Sequence, residues 1–226
     1  MEHRMNNQVF FDFDGTIANS ERGIIHAVKS MVDELNLPHL SDVQYRLFIG
    51  PTITDSLKKF FPSLTEKQVS TAVKAYKKNY ESSGLFDLEI YPGIEDALTT
   101  MRAAGYQLNI ASAKPESVLR KIIDEFQLNH YFDGIYGASE GKIKRIKKTD
   151  ILAYAIETSH AQRDQSVMVG DRYTDMKGGN DNHVKTLGVT YGFGDAAELR
   201  ASNASALVST PEELPAEVAK LLGERR

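Results

Sequence analysis

The sequence predicts an α/β protein, with a mostly parallel sheet and an all-helical insertion. Three observations predict this fold class. Short apolar runs typical of buried strands recur along the chain, amphipathic helix patterns separate them, and one stretch from about Ser20 to Leu88 has helix patterns only. Strands that alternate with helices are typical of parallel sheets wound in βα units. With 226 residues, 41% of them hydrophobic, the chain is long enough for one large domain with a smaller partner.

Strand and helix patterns define the order of the sheet domain. The helix patterns cover 93–105, which ends at a glycine, 115–126, which begins at a proline, and 150–159. Apolar runs that predict buried strands occupy Val9–Phe13, Tyr106–Ser112, Ser166–Gly170 and Val184–Thr190, with weaker candidates at Phe132–Gly137 and Ala206–Thr210.

Composition excludes several classes of protein. The net charge is −4, from 27 basic and 31 acidic residues, which argues against a general nucleic-acid binder. The chain has no cysteine, so disulfides, thiolate nucleophiles and cysteine zinc sites are excluded. No apolar run approaches the roughly 20 residues that cross a bilayer, and the first residues do not resemble a secretory signal. We therefore expect a cytoplasmic protein without a membrane partner.

Two acids follow the first predicted strand, in the stretch "VFFDFDGT". Side chains at alternate positions point the same way, so Asp12 and Asp14 are expected to converge beyond the strand's carboxyl end. Open α/β sheets bind ligands at that edge. Two neighbouring carboxylates repel each other unless a cation lies between them or one keeps a proton. A divalent cation such as Mg²⁺, which prefers oxygen ligands, would relieve the repulsion; an ordinary Asp-Gly turn is the alternative.

A second acidic pair follows another predicted strand. Asp171 ends the run "SVMVGD", and Asp175 lies four residues later, where a helix should begin. An acid near a helix start can simply complement the helix dipole, which would account for Asp175. It does not account for Asp171 and Asp12 at the same edge of one sheet. A shared metal ion accounts for both.

A hydroxyl and several lysines complete the predicted site. Ser112 ends the strand "YQLNIAS", and the backbone amides from Ala113 onward run into a helix, which suits an oxyanion such as phosphate. Ser112 could instead only cap that helix. In "GKIKRIKKTDIL", Lys148 directly precedes a helix pattern and could neutralise a transferring group and pair with Asp175. Lys144 is a weaker candidate, and the rest of the run is expected to be solvated.

Four segments in this order resemble the four motifs of the haloacid dehalogenase-like hydrolase superfamily. "DFDGT" is similar to Asp-x-Asp-Gly-Thr and "GDRYTD" to Gly-Asp-x-x-x-Asp, with Ser112 and Lys148 in the second and third positions. The resemblance covers nearly the whole chain. It implies a Rossmann-like core domain at 1–18 and 89–226 and a helical cap domain at 19–88.

The resemblance also implies roles for the matching residues. Asp12 would be the nucleophile that forms an aspartyl-phosphate, and Asp14 the general acid and then the base that activates water. Ser112 and Lys148 would hold the phosphoryl oxygens. Phosphate-binding positions implied in this way are Thr16, Ser112, Ala113 and Lys148. Positions that would hold Mg²⁺ are the carboxylates of Asp12, Asp171 and Asp175 and the backbone carbonyl of Asp14.

The helical insertion resembles the small cap of the phosphoglycolate phosphatase and 5′-nucleotidase-like branch. In "RLFIGPTITDSL", Gly50 and Pro51 form a rigid corner that could approach a substrate; a plain helix-to-helix turn is the alternative. Many members of this branch carry an acid where this chain has Asn19. Lysines of the insertion could bind an anion, although a solvated helix face is the simpler interpretation: Lys58, Lys59, Lys74, Lys77 and Lys78.

The sequence thus predicts a Mg²⁺-dependent phosphomonoesterase. Its expected partner is a small phosphorylated metabolite, such as 2-phosphoglycolate or a nucleoside 5′-monophosphate, and not a nucleic-acid polymer; monomer and homodimer both stay open. Alternatives are a sugar phosphomutase of the same fold and a phosphoaspartate-bearing module without turnover. The module is disfavoured because it needs neither Asp14 nor a cap. A dehalogenase is disfavoured further, because that chemistry needs neither Asp14 nor a metal.

Overall fold

The computed structural model describes residues 7–139 and 145–223 and divides the chain into two compact units. One unit contains the residues up to Ala18 together with those from Ile90 onward, and the other contains Asn19–Glu89. The strands of the described residues are β1 (Gln8–Phe11), β2 (Ala18–Asn19), β3 (Glu89–Ile90), β4 (Gln107–Pro115), β5 (Gly134–Ala138), β6 (Ser166–Gly170), β7 (Lys185–Val189) and β8 (Ala206–Val208).

The α-helices follow the amphipathic patterns of the sequence. In the unit 19–89 they are α1 (Glu21–Glu34), α2 (Asp42–Arg46), α3 (Ile53–Phe60) and α4 (Glu66–Asn79), which a short π-helix, Tyr80–Gly84, continues. In the other unit they are α5 (Ile94–Ala103), α6 (Glu116–Glu125), α7 (Lys148–Thr158), α8 (Tyr173–Asp181), α9 (Ala196–Ala201) and α10 (Leu214–Leu221). None of the described helices is both long and apolar enough to cross a membrane.

Six strands form one parallel sheet in the order β5-β4-β1-β6-β7-β8. The predicted α/β fold with a mostly parallel sheet is confirmed. From β1 the chain builds β4 and β5 on one side and then β6, β7 and β8 on the other. The order therefore reverses beside β1, and ligands of open α/β sheets bind at the carboxyl ends of strands at such a point.

The strand register places three chain segments at one level of this edge. Phe11 is paired with Ile110 on β4 and with Val169 on β6. The strand predicted at Val9–Phe13 is observed at Gln8–Phe11, because the backbone turns away beyond Asp12. The N–H of Asp12 still donates to the carbonyl of Val169 at 2.9 Å. The residues that follow β1 and β6 are thus neighbours of the stretch of β4 that begins at Ala111.

Helix α7 packs on one face of the sheet through a shared apolar core. Its residues Ile151 and Leu152 are fully buried, and they contact Phe10 of β1 and Met168 of β6 in one cluster. The apolar positions of α7 recur at helical spacing, so its opposite side faces away from the core. This packing holds the first residue of α7, Lys148, close to the carboxyl ends of the strands.

The unit 19–89 is built around a close approach of two backbones. A β-carbon on Gly23 of α1 would overlap the carbonyl oxygen of Gly84, and one on Gly84 would lie 2.5 Å from the carbonyl oxygen of Gly23. Only glycine leaves room for this contact between α1 and the π-helix. Asn19 accepts a hydrogen bond from the N–H of Glu21 at 3.1 Å through its Oδ1 atom. It therefore stabilises the start of α1.

Candidate active site

Three buried carboxylates converge at the carboxyl ends of β1 and β6. Oxygen atoms of Asp12, Asp171 and Asp175 lie within 4.8 Å of one another. Asp12 follows β1, Asp171 follows β6, and Asp175 lies in the first turn of α8, where its Oδ2 atom accepts from the N–H of Arg172 at 3.0 Å. Residues about 160 positions apart in the sequence thus form one acidic cluster.

The electrostatics of this cluster favour a bound cation. Burial, with the neighbouring charges of Asp175 and Asp12, holds the pKa of Asp171 well above its usual range. Burial also raises the pKa of Asp175 to about 6, although Lys148 opposes that shift. Ionised carboxylates are costly in such surroundings unless a cation compensates them.

An unpaired oxygen supports the same conclusion. Asp171 Oδ2 accepts a hydrogen bond from the N–H of Phe193 at 2.8 Å. Among the described residues, its buried Oδ1 atom has no hydrogen-bond partner. Buried polar atoms are nearly always satisfied by a protein group, a water or an ion. Oxygen donors of this kind are the ligands that Mg²⁺ prefers, so the acidic cluster fits a magnesium ion.

Lys148 lies between two of the acids. Its Nζ atom is 2.8 Å from Asp12 Oδ1 and 2.8 Å from Asp175 Oδ1, and it donates to the carbonyl of Ala111 at 3.0 Å. Burial alone would lower the pKa of Lys148, but the attraction of Asp12 and Asp175 outweighs it and raises that pKa. Lys148 is therefore a fixed positive charge in the site. Lys144, the weaker candidate, lies outside the described residues.

The predicted phosphate-binding positions line the same edge. Ser112 on β4 is buried, and its Oγ atom accepts from the N–H of Lys114 at 3.4 Å. Ala113 beside it is half-buried. Thr16 is fully buried, and its Oγ1 atom has no hydrogen-bond partner within 7–139 and 145–223. Phosphate binding by these residues stays a prediction.

Asp14 points to a partner that the sequence analysis missed. Its Oδ1 atom is 3.0 Å from the Nζ atom of Lys114, and the two side chains are 15% and 5% exposed. Lys114 is two residues after Ser112, and side chains at alternate strand positions share a face. That spacing was the one signal in the sequence that could have indicated Lys114.

The loop after β7 also contacts the site, which the sequence analysis did not predict. The Tyr191 hydroxyl donates to the carbonyl of Thr16 at 3.0 Å, and Phe193 donates its N–H to Asp171. A β-carbon on Gly192 would overlap the carbonyl oxygen of Gly15. The glycine-rich stretch "TYGFGD" was the available signal, because glycine marks close backbone approaches.

Gly50 and Pro51 lie in the unit 19–89, between α2 and α3. Gly50 has a φ of 101°, a left-handed conformation that favours glycine. Thr52 caps α3 by accepting from the N–H of Asp55 at 3.1 Å. This is the geometry of a helix-to-helix turn, and a substrate contact at Gly50 or Pro51 stays a prediction.

Two of the lysines of this unit have acidic partners at its surface. Lys58 lies 2.8 Å from Glu66, and Lys78 lies 3.5 Å from Glu34. The side chains of both lysines are more than half exposed, at 51% and 72%. The ammonium of Lys59 lies 5.3 Å from the centre of the Phe60 ring. These contacts favour the interpretation of a solvated helix face.

A comparison with known protein families identifies the family of this chain. Residues 9–189 match the model of the haloacid dehalogenase-like hydrolase family. The chain belongs to that family. The resemblance inferred from the four motifs is therefore confirmed.

Individual proteins of known name show the same relationship. The chain is 29% identical to a 5′-nucleotidase of Pseudomonas aeruginosa over 85% of its own length and 86% of that protein. A solved structure titled as a predicted phosphatase from Clostridium acetobutylicum superposes with a TM-score of 0.89 at 31% identity, covering 96% of this chain and 99% of that one. The expected enzyme class, a phosphatase of the haloacid dehalogenase type, is confirmed.

One relative carries a different name. The chain is 31% identical to the tyrosine-protein kinase PtkA of Mycobacterium tuberculosis over 83% of its own length. It spans 63% of that protein. Similar proteins thus carry the names of a hydrolase and of a kinase.

Proposed function

We propose that this protein is a Mg²⁺-dependent phosphomonoesterase that acts on a small phosphorylated metabolite through an aspartyl-phosphate. The buried cluster of Asp12, Asp171 and Asp175 carries the proposal, because Lys148 compensates only part of its charge. A magnesium ion held by these carboxylates and by the backbone carbonyl of Asp14 would neutralise charge on the transferring phosphoryl group.

The residues of the site divide the reaction into two displacements. A carboxylate oxygen of Asp12 attacks phosphorus, and the bond to the leaving oxygen breaks while Asp14 donates a proton to it. Asp14 then accepts a proton from water, and the resulting hydroxide displaces Asp12 from phosphorus. Free phosphate leaves, and both acids return to their starting states.

Lys148 and Ser112 prepare the site for a phosphoryl group. Phosphoryl transfer depends mainly on positioning and charge neutralisation. The ammonium of Lys148 already contacts Asp12 Oδ1 at 2.8 Å, so a phosphoryl group bound to Asp12 lies beside a positive charge. Ser112, Thr16 and the backbone at Ala113 would supply donors to its remaining oxygens.

The substrate is proposed from the branch that the sequence resembles. A nucleoside 5′-monophosphate is favoured by similarity to the Pseudomonas aeruginosa 5′-nucleotidase, and 2-phosphoglycolate is the second candidate. We further propose that 19–88 forms a cap domain whose Gly50 and Pro51 help to select the substrate. Cytoplasmic location and a monomeric or homodimeric state stay predictions.

Phosphate release from a panel of phosphomonoesters tests the proposal. The wild type should release phosphate only with Mg²⁺, and Asp12→Asn should lower turnover by about 10³-fold or more, since it removes the nucleophile. Asp181→Asn, on the exposed end of α8, is the matched control and should retain turnover. Undiminished hydrolysis by Asp12→Asn would exclude the mechanism.

The same assay separates the alternatives by their products. Free phosphate indicates a hydrolase, and an isomerised sugar phosphate indicates a mutase. Phosphate transferred to tyrosine would indicate the chemistry named for PtkA. Stable labelling of Asp12 without release of phosphate would indicate a module without turnover.

A further inference from the structure

Each acid of the first motif has a buried lysine of its own. Lys148 lies 2.8 Å from Asp12, and Lys114 lies 3.0 Å from Asp14. The Lys114 side chain is only 5% exposed. The proposed reaction uses Lys148 and leaves Lys114 without a role.

Local backbone geometry brings Lys114 to this position. The pairing of β4 with β5 changes register between Ala111 and Pro115, so the end of β4 departs from a regular ladder. Such irregularities re-aim side chains near sites. Ser112 accepts from the N–H of Lys114 at 3.4 Å, which ties the lysine's backbone to a predicted phosphate-binding residue.

The energetic cost of burying the Lys114 ammonium indicates that this residue has a functional role. A buried ammonium is unfavourable unless an opposite charge lies close to it. Replacing a buried ion pair by apolar side chains often leaves a protein equally stable. Stability alone therefore does not require a lysine at position 114. The residue that it pairs with indicates what its role is. That partner is the residue proposed to move protons.

We propose that Lys114 is a positioning residue that holds the carboxyl group of Asp14 in place for proton transfer to and from the substrate oxygen. This proposal rests on the proposed phosphomonoesterase function. Lys114 acts through Asp14 and exchanges no proton with the substrate. Its loss lets the Asp14 side chain rotate away, while Asp12, Lys148 and the acidic cluster keep their places.

Two substrates distinguish a positioning role of Lys114 from a structural role and from direct substrate binding. An alkyl phosphate has a poor leaving group that needs a proton, whereas p-nitrophenolate departs as a stable anion. The ratio kcat/KM covers the steps up to leaving-group departure, so it reports the need for an acid in that step. Asp14→Asn should lower kcat/KM for the alkyl phosphate by about 10²-fold or more and for p-nitrophenyl phosphate by about 3-fold or less.

Lys114→Met should reproduce this selectivity in weaker form. We expect kcat/KM to fall about 10-fold to 100-fold for the alkyl phosphate and about 3-fold or less for p-nitrophenyl phosphate. Combining Lys114→Met with Asp14→Asn should cause no further loss. Lys114→Arg, which keeps the charge, should restore most of the alkyl phosphate activity. Lys220→Met, which removes a surface pair with Glu217, should change neither substrate.

Other outcomes overturn the proposal. Equal losses on both substrates would indicate a structural role or direct substrate binding, and no loss would indicate that Asp14 needs no such partner. If Lys114→Met does not fold, Lys114→Gln, which keeps a polar head group, replaces it. The same selective loss of kcat/KM on the alkyl phosphate is then expected of Lys114→Gln. If the wild type hydrolyses neither ester, or Asp12→Asn stays active, both proposals fail. If hydrolysis depends on Asp12 but the selectivity is absent, only the role of Lys114 fails.

Discussion

The turn at Gly15 passes so close to Asp171 that a β-carbon at position 15 would overlap the Oδ2 atom of that carboxylate. Gly15 has a φ of 85°, which a residue with a side chain rarely adopts. The first motif therefore needs glycine for two reasons: its own backbone conformation and the space that Asp171 occupies. The two acidic strand ends are packed against each other at this point.

Gly15→Ala should consequently displace Asp171 and impair catalysis. We expect activity to fall about 100-fold, because small displacements in a site have effects of this size. Gly105→Ala is the matched control, since Gly105 has a φ of 92° and a β-carbon there would have, apart from its chain neighbours, no atom of the described residues within 4 Å. It should cost about 1 kcal/mol of unfolding free energy and leave activity unchanged. Equal activity in the two variants would contradict the prediction.

Lys148→Met should remove the fixed positive charge between Asp12 and Asp175. Turnover should fall about 10²- to 10³-fold, as for the loss of one preorganised donor. The metal-free protein should also unfold at lower urea concentration, because removing one partner of a buried pair leaves a charge uncompensated. Lys147→Met, at the exposed neighbouring position, should match the wild type in both measurements.

Asp171→Asn should abolish the stabilisation by Mg²⁺ without destabilising the metal-free protein. In thermal unfolding, Mg²⁺ should raise the Tm of the wild type, by mass action, and leave the Tm of the variant nearly unchanged. Without metal, the variant should be at least as stable as the wild type at neutral pH, because burial and Asp175 disfavour the ionised form of Asp171. Asp181→Asn should keep the Mg²⁺ response. A full Mg²⁺ response in Asp171→Asn would contradict the proposed metal site.

Tyr191→Phe should loosen the loop that follows β1 and contains Thr16. The variant loses the hydrogen bond to the carbonyl of Thr16, which should cost about 1 kcal/mol of unfolding free energy and lower kcat several-fold. Tyr131→Phe is the control, since it loses a bond to Glu95 at 3.2 Å, beyond the acidic site. It should show a similar change in stability with unchanged kcat. Identical kinetics for the two variants would show that Tyr191 does not support the loop.

Some of the site was predictable because it depends on local sequence. Asp12 and Asp171 each follow an apolar run that becomes a strand, and parallel strands end at the same edge of a sheet. The position of Lys148 followed from the helix pattern of α7 in the same way. Strand bounds were less accurate, as at Phe11, because the end of a strand depends on where its neighbours stop pairing.

By itself the sequence determined the class of the fold, the order of its motifs and the gathering of acids at strand ends, since periodicity and turn residues act over a few positions. Only the tertiary structure decided that Lys114 meets Asp14, and that Tyr191 and Phe193 support the first and fourth motifs. Two of these contacts, Lys114 with Asp14 and Tyr191 with Thr16, join residues about 100 or more positions apart. They depend on register, on the irregular end of β4 and on backbone approaches that no local pattern contains.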